Sequence, residues 1–149
     1  MKYLIVAVGV LALAACPTVP LAQRESAVYR VIELVNEGEI DDLMRNTNNP
    51  FLLDGEILAL ENDIEYLWTA LRAAEFTFAD AIIRDITPVT DRSYAEFADT
   101  MDVAVFFEKY LSADGTIVEI ETKNGEFLLL LGSRRRRMPL VYGFKGPLL

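Results

Sequence analysis

Residues 116–131 read TIVEIETKNGEFLLLL, and this stretch decides the fold. Its two arms are rich in β-branched, aromatic and aliphatic side chains, and Asn124-Gly125 between them is a strong hairpin signal. A two-residue loop there pairs Lys123 with Glu126, Thr122 with Phe127, Ile120 with Leu129 and Val118 with Leu131. These paired side chains share one face, which reads as the core side of an antiparallel sheet. The opposite face carries Glu119 and Glu121 beside Leu128 and Leu130. A face turned to water rarely groups two leucines, so that side is expected to be partly covered.

Outward from the hairpin, more strands are expected. Ala113-Asp114-Gly115 turns the chain into the first arm, and a final strand covers about 138–144. Residues 78–89 are β-rich, with Pro88 at the end or on an edge. Residues 93–99 read as a loop or a helical turn. Residues 102–111 (DVAVFFEKYL) are compatible with strand or helix, and their β-branched and aromatic content tips the reading to strand.

The first half is helical. Val28, Val31, Ile32 and Val35 recur at helical spacing after Arg24, and Gly38 is a natural stop. A short helix over 39–45 places acids in its first turn, and Asn46 to Pro50 (NTNNP) breaks the chain. Phe51 to Leu60 forms two apolar runs around Asp54-Gly55, a second hairpin signal. Asn62 and Glu65 resemble a capping box opening a helix through Ala74, with Ile64, Leu67, Trp68 and Leu71 as its buried stripe. The sum is an α+β domain, with three N-terminal helices packed on a curved antiparallel sheet.

Composition narrows the chemistry. At 149 residues and 52% hydrophobic, the chain suits one folded domain with its own core. It has no histidine and one cysteine, which excludes histidine-dependent triads, cysteine zinc sites and an internal disulfide framework. No cofactor and no metal are expected. The net charge is −9, and residues 24–102 hold 18 acids against 6 bases. Such a body is unsuited to nucleic acid.

The N-terminus carries an address. Lys2 precedes Tyr3–Ala15, a charge-free apolar run of 13 residues. That length suits a secretory signal core and is short of a membrane span. The run ends in Leu13-Ala14-Ala15-Cys16, which resembles the lipobox of bacterial lipoproteins; Pro17 departs from the usual pattern. The resemblance implies cleavage before Cys16 and acylation of that residue with several chains of the palmitate kind, enough for stable anchoring. The alternative is an ordinary signal peptide cut after Ala22. The expected organisation is a signal peptide over 1–15, a lipid-anchored tether over 16–23 and a single domain over 24–149. The expected location is the bacterial cell envelope, on a periplasmic or surface-facing side. Removing residues 1–15 takes away Lys2 and brings the net charge to −10.

The order of two helices, hairpin, helix and four long strands resembles the nuclear-transport-factor-2-like, or SnoaL-like, cone fold. The wording Val35-Asn36-Glu37-Gly38-Glu39-Ile40-Asp41-Asp42-Leu43 is similar to the stretch between the first two helices in that superfamily. The resemblance spans about 24–146 and rests on element order. It implies a cone-shaped, cystatin-like domain that serves either as a binding or assembly module, or as a small-molecule isomerase or dehydratase working through carboxylate and tyrosine without metal. Cone-fold relatives often dimerise through the open sheet face, which implies a homodimer through Leu128 and Leu130.

Several side chains are candidates for function. Tyr29, Trp68, Arg84 and Tyr110 are candidates to line a cavity for a small apolar ligand; core packing is the favoured account of Trp68, which lies on the buried stripe, and an ion pair with a nearby acid that of Arg84. Asp54 and Glu56 can divide acid and base roles, or serve turn chemistry alone. Arg134, Arg135, Arg136 and Arg137 can grip phosphate, anionic headgroups or an acidic partner, or form a solvated loop that balances the acids.

Overall fold

A computed structural model of the chain describes residues 21–111, 114–135 and 138–148. Apolar side chains at helical spacing build α1 (Leu21–Glu37), which buries Val28, Val31 and Ile32. At its end Gly38 N–H donates to the Leu34 carbonyl at 2.6 Å. The helix starts earlier than expected, so residues 21–23 belong to α1 and not to a tether. Next comes α2 (Ile40–Asn46), with Asp41 and Asp42 at the positive end of its dipole.

The stretch read as a breaker is in fact the start of β1 (Thr47–Leu53). Thr47 Oγ1 donates to the Leu43 carbonyl, and Asn48 Nδ2 donates to the Pro50 carbonyl. These local bonds carry the backbone from helix directly into strand. Asp54 (φ 48°) and Gly55 (φ 93°) then make the expected two-residue turn into β2 (Glu56–Leu58), with Leu53 opposite Glu56. The third helix, α3 (Glu61–Ala73), starts one residue before Asn62. Leu60 occupies the N-cap without a side-chain bond, so the expected capping box does not form.

The remaining elements are β3 (Ile82–Pro88), α4 (Tyr94–Phe97), α5 (Met101–Tyr110), β4 (Thr116–Thr122), β5 (Gly125–Arg135) and β6 (Met138–Leu148). The six described strands form one sheet in the order β2-β1-β6-β5-β4-β3. The sheet is mixed and not wholly antiparallel, because β1 runs parallel to β6. The run from β3 through β6 is antiparallel, as expected.

The decisive hairpin has the right faces and a shifted register. Thr122 pairs with Gly125, Ile120 with Phe127 and Val118 with Leu129, so Lys123-Asn124 is the loop. Gly125 carries the positive φ (123°), while Thr122 Oγ1 accepts from Asn124 N–H and donates to the Gly125 carbonyl. The pairing has moved by two residues. Since side chains alternate with period two, each one keeps its face.

Both faces of the sheet are covered. Helices α1, α2 and α3 bury one against Val118, Ile120, Phe127, Leu129 and Leu131. Helices α4 and α5 bury the other, where Phe97, Val103, Phe106 and Phe107 pack on Leu52, Ile117, Leu128 and Leu130. The segment read as a strand over 102–111 is therefore helix α5. Thr100 caps it by accepting from Val103 N–H, and Val103, Phe106 and Phe107 turn inward at helical spacing. Lys145 on β6 ties the second layer down, donating to the Glu96 and Phe97 carbonyls at 2.8 and 2.9 Å. Leu128 and Leu130 are thus covered within the chain, and the surface expected to pair two copies is closed.

Candidate functional site

The two ends of the face covered by α1, α2 and α3 differ in their aromatic content. At one end Phe51, Trp68, Phe76, Phe78, Phe127 and Phe144 meet at ring separations of 5.2–6.3 Å and fill the space between α3 and the sheet. Asn36 closes that end. Its Oδ1 accepts from Phe78 N–H at 2.7 Å, and its Nδ2 donates to the Phe78 carbonyl. The stretch that carried the family resemblance thus contributes a structural clamp.

At the other end no aromatic side chain lines the space. The first turns of α1 offer Arg24, Ala27 and Val28, and the sheet offers the ends of β3 and β5 and the starts of β4 and β6. Strand β3 stops at Pro88, which has no N–H to extend the ladder. Strand β5 shifts register against β6 between Leu131 and Arg134, and Gly132 and Ser133 of that irregular stretch border the space. The result is a cleft of 520 Å³, within the size range of small-molecule sites. Its floor is apolar, from Ala27, Val28, Ile86, Leu131 and Pro139; Arg24, Asp114, Thr116 and Ser133 stand around it as polar groups. Neither Arg24 nor Asp114 makes an ion pair among the described residues.

The four side chains expected to share a cavity are dispersed. Tyr29 is exposed on the outer side of α1, beside a shallow groove with Glu25, Arg30 and Glu33. Trp68 is 2% exposed, and its Nε1 donates to Thr47 Oγ1 at 3.0 Å. It is a core residue whose edge borders a 260 Å³ pocket beside Arg72 and Glu75. Arg84 lies exposed on the edge strand β3 and donates through Nε to Glu121 Oε2 at 2.6 Å, so its partner is the neighbouring acid. Tyr110 ends α5 on the far side of the sheet, in a groove with Pro50, Ile57, Val105 and Lys109. None of the four lines the 520 Å³ cleft.

The paired acids also separate. Asp54 Oδ1 accepts from Gly146 N–H at 2.8 Å and Asp54 N–H donates to the Phe144 carbonyl, which makes it a link between the first hairpin and β6. Glu56 is exposed. Among the described residues the buried polar side chains are Ser93 and Thr122, and no carboxylate is buried. A groups of three or more metal-ligating side chains is absent among the described residues as well. Cys16 lies outside the described residues. Arg134 and Arg135 end β5, Met138 begins β6, and Arg136 and Arg137 lie outside the described residues. That hairpin stands at the same end of the sheet as the cleft, which Ser133 and Pro139 line.

Sequence reasoning missed the cleft because it is built from absences of bulk. Ala27 is a small residue at a sheltered position, and no local pattern marks it. The sequence matches no protein-family model, and no curated protein matches it.

Proposed function

We propose that the chain is a lipid-anchored envelope protein whose domain is a binding module, with the cleft at the start of α1 as its site. The observation that carries this reading is positional. The cleft is walled by the first turns of the helix into which the tether leads, so a ligand site and the proposed anchor share one end of the domain. The arginine hairpin stands at that end too, where anionic headgroups would meet it. The order of α1, α2, hairpin, α3 and antiparallel β3–β6 supports a cone-type domain related to the nuclear-transport-factor-2-like superfamily. In this chain the α4–α5 layer would cover the outer side of that cone.

The isomerase or dehydratase alternative draws less support. It needs a carboxylate and a tyrosine facing one sheltered cavity, whereas Asp102 and Tyr110 share only an open groove beside α5. The anchor is tested by the intact mass of the mature protein from the membrane fraction. A chain that starts at Cys16 and carries added acyl mass is expected, and an unmodified start at Gln23 would sink the reading.

A further inference from the structure

We infer that the 520 Å³ cleft takes up an acyl tail of a phospholipid from the membrane that holds the anchor, with Arg24 binding the phosphate at its rim. This rests on the lipid-anchored reading and gives the same site a ligand class. Reach comes first. Leu21 follows Cys16 by five steps along the chain, a span of at most roughly 18 Å when extended. Arg24 follows within the first turn of α1. A lipidated Cys16 therefore holds the cleft beside the membrane surface, where tails are present at high effective concentration.

The lining matches an amphiphile. Val28, Ile86, Leu131 and Pro139 give an apolar floor for methylene groups, each worth about 0.8 kcal/mol when buried. The volume suits one tail and leaves the head outside. Arg24 offers a planar guanidinium without an ion-pair partner among the described residues, a fork that fits a phosphate through two parallel bonds. Asp114 on the same rim complements an ammonium, so a phosphoethanolamine head finds both charges answered. Residues 24–102 hold 18 acids against 6 bases, so cations of this kind are sparse on that part of the domain and Arg24 is the one that borders the cleft. The chain's own acyl groups on Cys16 could reach the cleft, but they bring no phosphate for Arg24.

The test uses the full chain in vesicles of phosphatidylethanolamine doped with an analogue that carries a photoactivatable group in its tail. Peptide mapping after illumination should place label on residues 24–28 and 131–133. Arg24→Glu should lower that label about fivefold to tenfold. Ala27→Trp, which fills the cleft, should abolish it, while label on exposed Met101 and Val105 stays low in all proteins. Label at the cleft unchanged by Arg24→Glu would overturn the proposal; Arg24 is half-buried and makes no ion pair among the described residues, and a urea midpoint near that of wild type checks that this variant keeps the fold. Label absent from acylated wild type but present in Cys16→Ser would assign the cleft to the chain's own acyl group and also overturn it. The intact mass of the same preparation reports the anchor separately. Acylated Cys16 with an unlabelled cleft ends the ligand assignment alone, whereas unmodified Cys16 ends the anchoring reading and this proposal with it.

Discussion

Trp68 shows how one residue can answer two descriptions. Its ring packs against Phe51 and Phe144, and its indole N–H is satisfied by Thr47 Oγ1, whose own proton goes to the Leu43 carbonyl. The chain from α3 through β1 to α2 leaves no polar atom of the indole for a ligand. Trp68→Ala should therefore cost about 3–5 kcal/mol in urea unfolding. Trp68→Phe keeps most of the packing and should cost less, with the lost hydrogen bond contributing about 1 kcal/mol. Asp54 is equally structural. Its positive φ suits Asp, Asn or Gly, and its carboxylate accepts from Gly146 N–H. Asp54→Asn preserves both features and should leave the unfolding midpoint nearly unchanged, while Asp54→Ala should lose about 1–2 kcal/mol. Equal losses in the two variants would contradict this account.

Among the elements, α5 teaches most. Its composition favours a strand, but Val103, Phe106, Phe107 and Tyr110 stand at helical spacing and Thr100 supplies a cap. The periodicity was the better signal, because a helix can lay three large side chains on the sheet, while a strand there would alternate them between the two faces. Thr100→Ala should cost about 1 kcal/mol through the lost cap. Phe106→Ala removes the centre of the second core and should cost about 3–5 kcal/mol. It should also raise binding of an apolar fluorescent dye as Leu128 and Leu130 become accessible. Dye binding that stays at the wild-type level would mean that α5 is dispensable as a cover.

For the whole molecule, that cover changes the expected assembly. Leu128 is 9% exposed and Leu130 is fully buried, so the sheet face expected to join two copies is used within one chain. The protein carrying Cys16→Ser should sediment as a monomer at high micromolar concentration, and a dimer would require another surface. The charge is also unevenly spread, with Arg134–Arg137 as the one dense positive run in the sequence. Replacing all four with glutamine should abolish salt-sensitive binding to anionic vesicles, with little effect on the urea midpoint. Binding by wild type that is absent, or indifferent to salt, would leave the run as a solvated hairpin.

The sequence by itself determined the elements whose signals are local. Helical spacing from Val28 to Val35, the Asp54-Gly55 turn and the alternation from Thr116 to Leu131 each act within a few residues, and each places its side chains on the right face. Even the misplaced register of the central hairpin kept its faces, because a shift of two leaves alternation intact. Tertiary structure alone decided the parallel pairing of β1 with β6, the covering of Leu128 and Leu130 by α5, and the cleft beside α1. These depend on contacts between segments far apart in the chain. The dispersal of Tyr29, Trp68, Arg84 and Tyr110 follows from the same cause: their elements lie at different places on the sheet, and Trp68 packs into the aromatic cluster. No aromatic side chain reaches the other end, which leaves the cleft there.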